Sequence, residues 1–116
     1  MELAKRQCVP CRADTPGLSG EPLATLLGQL APDWELAGDR LRKTFRFPDF
    51  AAALAFVNRV AEVAEREQHH PDIFLAWGRA TLEMWTHAIA GLSENDFILA
   101  AKIDQLPLEA KPQRAQ

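Results

Sequence analysis

Hydrophobic positions in this chain alternate between two periods. From Leu18-Ser19 onward, Leu23, Leu26, Leu27 and Leu30 fall on one helical stripe; Pro22 is tolerated in the first turn, and Ser19 can accept from the exposed N–H groups there. Ala31-Pro32-Asp33 ends that helix. A period of two follows, with Trp34 to Ala37 and Leu41 to Phe47 reading as short strands around Gly38-Asp39-Arg40. Leu41, Phe45 and Phe47 share one face, and Arg42, Thr44 and Arg46 the other. Lys43 interrupts the apolar face, which places it near a sheet edge. Pro48 stops the strand, and Asp49 is an N-cap for a second helix in which Phe50, Leu54, Val57 and Ala61 run beside Phe56, Val60 and Val63. So wide a stripe predicts packing on a sheet. The helix must end before Pro71, because the proline ring pushes its predecessor out of helical geometry.

Two more strands, about Asp72 to Trp77 and Ala80 to His87, flank Gly78-Arg79 as a two-residue hairpin turn. That turn pairs Trp77 with Ala80, Leu75 with Leu82, Ile73 with Met84 and His70 with His87. Ser93-Glu94-Asn95-Asp96 has the form of a capping box, and the helix after it runs on Leu99, Ile103 and Leu106. The order α-β-β-α-β-β-α with hairpin connections predicts an α+β fold, a four-stranded antiparallel sheet with three helices on one face. Phe74 and Trp85 fall on the other face, where apolar area suits subunit contact. Residues 1–17 and 107–116 lack periodicity and read as tails around a folded stretch at 18–106.

Composition narrows the class. A chain of 116 residues, 47% hydrophobic and 25% charged, is one ordinary globular domain. Its most apolar run, Phe50 to Val57, falls far short of the ~20 residues of a membrane span, and no apolar signal core opens the chain, so a cytoplasmic protein without membrane contact is expected. A net charge of -3 removes the general attraction to nucleic acid. Cys8-Val9-Pro10-Cys11 has the spacing of zinc ribbons and redox pairs. No second pair completes a four-ligand site, and no strand-then-helix context surrounds it, so the thiols read as incidental to the tail.

All three histidines lie within a short stretch, His69 and His70 where the second helix breaks and His87 at the end of the fourth strand, with Glu65 one turn before His69. Imidazole and carboxylate suit zinc, yet adjacent side chains diverge and no His at i, i+4 supports them. Acid–base chemistry without a metal is the better fit, since the histidine pKa lies near working pH. For the neighbours the structural roles lead: Asp96 as a helix cap, Glu65 as a solvated or ion-paired residue, Trp77 in core or interface, Pro71 as a helix stop.

Glu65-Arg66-Glu67-Gln68-His69-His70-Pro71, Trp77, His87 and the Asp96 of Gly91-Leu92-Ser93-Glu94-Asn95-Asp96 together resemble the signature of the pterin-4a-carbinolamine dehydratases. The resemblance runs from about Leu18 to Leu106, through Trp34-Glu35-Leu36, Phe56-Val57-Asn58-Arg59-Val60 and Ile98-Leu99-Ala100-Ala101-Lys102-Ile103. It implies a small enzyme, usually a homotetramer built as a dimer of dimers. Such an enzyme removes water from 4a-hydroxytetrahydropterin to give quinonoid dihydropterin, recycling the cofactor of an aromatic amino acid hydroxylase, and needs no cofactor of its own. It also implies that His69, His70 and His87 surround the pterin and supply acid, base and positioning hydrogen bond. Gln68, Trp85, Thr86, Ala88 and Trp34 would line the pterin, with Glu65, Pro71 and Asp96 in support. Members often carry an acidic residue where this chain has Gln68. Some animal relatives are dimerization cofactors of a homeodomain transcription factor, so a protein-binding module without turnover is the alternative. A role on a related molybdopterin is a third.

Overall fold

The computed structural model describes residues 2–10 and 16–107. Its elements are α1 (Gly20–Leu27), β1 (Glu35–Ala37), β2 (Arg40–Arg46), α2 (Phe50–Glu67), β3 (Asp72–Ala76), β4 (Arg79–Met84) and α3 (Glu94–Asp104), with short 3-10 turns at Leu3–Lys5 and His87–Ile89. The strands form one antiparallel sheet in the order β1-β2-β4-β3. The expected α+β architecture is therefore present. Its central pair, β2 with β4, joins two local hairpins into one surface.

The alternation read from the sequence decides which face is covered. Leu41 and Phe45 of β2 and Ala80, Leu82 and Met84 of β4 are buried, together with Phe56 and Val60 of α2 and Phe97, Leu99 and Ile103 of α3. Apart from Ala80, each of these side chains contributes about 1.5–3 kcal/mol on leaving water. The opposite face carries Arg40, Arg42, Thr44, Glu83 and the half-exposed Phe74, and its charges are cross-paired: Arg40 bonds Asp72 and Glu83, and Arg42 bonds Glu35 and Glu83. Trp85 is less available for a partner than its sequence position suggests. Arg40 lies 4.4 Å from its ring centroid, and its indole N–H donates to Asp72 at 3.1 Å.

Several boundaries differ from the expectations. The β3–β4 register pairs Ile73 with Leu82 and Leu75 with Ala80, so the turn is Trp77-Gly78 and not Gly78-Arg79. The reason is close packing. The Phe47 amide donates to the Gly78 carbonyl, and a Cβ on Gly78 would lie 3.1 Å from the Phe47 carbonyl oxygen, so glycine is fixed at that spot by a neighbouring strand end. A shift of two keeps every side chain on its expected face while changing its partner. β4 stops at Met84, and His70 and His87 are not ladder partners. Lys43 is not near an edge: β2 is an interior strand, and Lys43 is tolerated because its ammonium reaches Asp104 at 2.8 Å and Asp33 at 3.2 Å beside the Phe45 ring. Asp49 caps α2 as expected, accepting from the Ala52 amide at 2.8 Å. Ser19 stands at the N-cap of α1, but its hydroxyl makes no capping bond.

The start of the chain does not behave as a tail. Leu3 is buried in the core, Lys102 donates to the Ala4 carbonyl, Arg6 pairs with Glu94, and the Cys8 amide donates to Glu67. Residues 2–10 thus lie along α3 as an ordered segment, because one leucine and several backbone groups find partners there that a periodicity search does not register.

Candidate active site

The site begins where α2 ends. Gln68 adopts the left-handed conformation at φ 53°, the geometry that terminates a helix by turning the chain back on itself. Its side-chain amide donates to the Glu65 carbonyl at 2.7 Å, and the His69 amide closes the turn onto the Ala64 carbonyl at 3.2 Å. Pro71 then holds His70 extended. The two neighbouring imidazoles consequently diverge: the His69 side chain is 11% exposed and the His70 side chain 51%.

His69 Nε2 lies 2.6 Å from Asp96 Oδ1. Asp96 is fully buried, and its other oxygen accepts from the Thr86 hydroxyl at 2.8 Å and from the Ser93 amide at 2.9 Å. The capping box expected at Ser93–Asp96 is present. What the spacing did not reveal is that the same carboxylate reaches across to a histidine of another element. A carboxylate only accepts, so Nε2 of His69 is the protonated nitrogen, and Nδ1 is left as the ring's acceptor. His70 has its own partner, with Nε2 at 2.5 Å from Glu65 Oε2 on the surface. His87 opens the 3-10 turn after β4, and its ring stands 4.2 Å from that of Trp85. That turn is closed by a bridge between Thr86 and Gly91 and by a left-handed Ala90 at φ 50°.

These side chains converge on an open pocket of about 290 Å³, lined by Val9, Pro10, Gln68, His69, His70, Trp85, Thr86, His87, Ala88 and Asn95. Glu65 and Pro71 do not line it; Glu65 reaches it only through His70. Trp34 is elsewhere. It is buried against Phe45, and its indole N–H donates to Asp104 at 2.7 Å. Eight residues of helix, about 12 Å, separate Asp104 from Asp96. Val9, Pro10 and Asn95 were not expected at the site: the sequence shows Val9 and Pro10 only inside the Cys8–Cys11 spacing and Asn95 only inside the capping box. Asn95 could have been suspected as the polar residue beside the capping carboxylate, whereas nothing in the Cys8–Cys11 spacing points Val9 or Pro10 toward the histidines. Among the described residues no three His, Cys, Asp or Glu side chains are grouped to hold a metal ion.

Cys8, next to the pocket wall, has its thiol pushed up to about 12 by burial first and then by the negative charge of Glu67. Such a thiol stays protonated and weakly nucleophilic at neutral pH. Cys11 lies outside the described residues.

The chain is similar to known proteins over most of its length. The sequence pattern of the family described as pterin 4 alpha carbinolamine dehydratase matches residues 16–106. A protein of Rubrobacter xylanophilus named for pterin-4-alpha-carbinolamine dehydratase is 53% identical over 106 residues, covering 90% of this chain and 98% of that protein. One of Nitrosomonas eutropha with the same name is 48% identical over 105 residues, covering 90% and 93%. The crystal structure of a transcriptional coactivator/pterin dehydratase from Brucella melitensis superposes with a TM-score of 0.71 at 28% identity, covering 77% of this chain and 96% of that one. With a matched pattern spanning most of its length and relatives this close, the chain belongs to the pterin-4a-carbinolamine dehydratase family.

Proposed function

We propose that this protein dehydrates 4a-hydroxytetrahydropterin by histidine acid–base catalysis without a metal. The observation that carries the reading is the convergence of His69, His70 and His87 on one pocket, two of them backed by separate carboxylates. The reaction breaks the C4a–O bond and forms the C4a=N5 double bond. One proton must reach the departing hydroxyl, which leaves as water, and one must leave N5; no electrons are exchanged with a second molecule. A carboxylate behind a histidine fixes its tautomer and stabilises the imidazolium formed when the ring takes a proton. The base is accordingly drawn from the His69–Asp96 and His70–Glu65 pairs. His87, held against Trp85, delivers its proton to the 4a-hydroxyl. Gln68 and the Trp85–Ala88 stretch line the ring; Trp34 has no direct part.

The product, quinonoid dihydropterin, is the species a reductase returns to the tetrahydropterin used by an aromatic amino acid hydroxylase, which gives the enzyme a recycling role in the cytoplasm. A homo-oligomer is part of the proposal, because Phe74 stays 53% exposed on edge strand β3, on the sheet face that carries the paired charges of Arg40, Arg42 and Glu83. The alternative of a protein-binding module without turnover leaves three converging imidazoles unexplained.

The test is a spectrophotometric dehydration assay on synthetic 4a-hydroxytetrahydropterin. His87→Ala and His70→Ala should each lower the rate by roughly 10²–10⁴, the contribution of a positioned acid or base. The double variant should lose less than the product of the two, since groups acting together are not additive. Chelator should change nothing. Activity abolished by chelator and restored by zinc, or parental rates in both single variants, would sink the mechanism.

A further inference from the structure

The part of the pocket least explained by the proposed chemistry is the wall made by Val9 and Pro10, which lies before the stretch matched by the family pattern. We infer that this N-terminal segment is a binding wall for the flat apolar face of the pterin, with Asn95 as the positioning residue that holds it; the inference rests on the pterin reading above.

Three observations lead there. First, the segment is pinned at points leading up to Val9 by side chains of α2 and α3. Lys102 takes the Ala4 carbonyl at 2.9 Å, Arg6 reaches Glu94 at 2.8 Å, and Glu67 takes the Cys8 amide at 2.9 Å. Second, Asn95, only 5% exposed, grips Val9 through both ends of its amide: Val9 N–H donates to Asn95 Oδ1 at 3.0 Å, and Asn95 Nδ2 donates to the Val9 carbonyl at 2.5 Å. Third, Val9, a lining residue of the pocket, is nonetheless 64% exposed. An apolar side chain fixed in water by a bidentate backbone grip is poised for a ligand and contributes nothing to the core.

The chemistry of the contact follows. Both backbone polar groups of Val9 are consumed by Asn95, and Pro10 has no N–H, so apart from the Pro10 carbonyl this wall offers van der Waals surface where the histidine side of the pocket offers hydrogen bonds. A bicyclic ligand with a polar edge and apolar faces fits that division. The frame is shared: successive residues of the first turn of α3 hold the wall, through Asn95, and the buried histidine, through Asp96.

Steady-state kinetics on 4a-hydroxytetrahydropterin and calorimetric binding of a stable dihydropterin test the inference with the full chain. Val9→Ser, at an exposed position, keeps the fold. It should raise KM and the dihydropterin Kd roughly fivefold, the scale of losing one aliphatic contact, with kcat within a factor of two. Asn95→Ala should raise both at least as far, with the pH profile of kcat unmoved; if it does not fold, Val9→Ser decides alone. Parental KM and Kd in Val9→Ser, or a kcat loss at constant KM, would overturn the wall while leaving the dehydratase reading intact. Absence of both turnover and pterin binding in the unaltered protein would overturn the two together.

Discussion

Asp96 does two jobs with one carboxylate. Oδ2 completes the capping box of α3 and takes the Thr86 hydroxyl, while Oδ1 orients His69. Asparagine keeps the shape but supplies a single acceptor atom, and its NH₂ would face a donor. Asp96→Asn should therefore cost about 1–3 kcal/mol of stability. It should also lower kcat at least tenfold, by presenting an N–H to Nε2 and driving the His69 proton to the wrong nitrogen. Urea unfolding and turnover of the folded fraction separate the two effects, and unaltered turnover would return Asp96 to a purely structural role. From the sequence only the cap was legible, because the Ser93–Asp96 spacing is local and the His69 contact spans twenty-seven residues. At Cys8 the consequence is a pH dependence. Its thiol titrates near 12 in the folded chain against an ordinary value of 9.0. Between those values the unfolded chain gives up the proton first, so this stabilisation is complete below about pH 9 and is lost as pH rises toward 12. Denaturation at pH 8 and pH 10.5 should show a steeper alkaline decline in the parent than in Cys8→Ala.

Among the elements, those with a long apolar stripe or a paired turn were readable, and those fixed by a distant partner were not. The α2 stripe, the Asp49 cap and the Pro71 stop all survive in the structure. The register of the second hairpin did not follow from its own residues, because Gly78 is required by the Phe47 backbone, thirty-one positions earlier. Lys43 misled for a similar reason: its counter-charges, Asp33 and Asp104, come from outside the sheet. Likewise Trp34, aromatic and beside a strand, is drawn into the core by the Asp104 carboxylate. The N-terminal segment makes the sharpest case. Leu3→Ala should destabilise by about 2–3 kcal/mol, at the low end for a buried leucine because the terminus can collapse into the space. A melting temperature within one degree of the parent would mean that the segment is not docked in solution.

For the whole molecule, the proposal of a homo-oligomer is tested by light scattering at micromolar concentration, where the mass should be a multiple of 12.9 kDa. Phe74→Lys should shift the mass toward that of one chain while leaving the far-UV spectrum unchanged. A 12.9 kDa species alone in the parent would refute the proposal.

The central pairing of β2 with β4 sets an order of events in time. Each hairpin joins neighbours in sequence, but Leu41 meets Met84 only after forty-two residues of intervening chain have been brought round. Loop closure of that length makes the central ladder the late step, with α2 packing on the nascent sheet to bring the halves together. The pocket draws on Val9, on the Gln68–His70 turn, on the Trp85–Ala88 stretch and on α3, so no half of the chain contains it. During refolding, dehydratase activity should therefore reappear with the last kinetic phase, after the helical signal has recovered. A chain released from synthesis before α3 is made carries its histidines without a carboxylate at position 96 to aim the first of them.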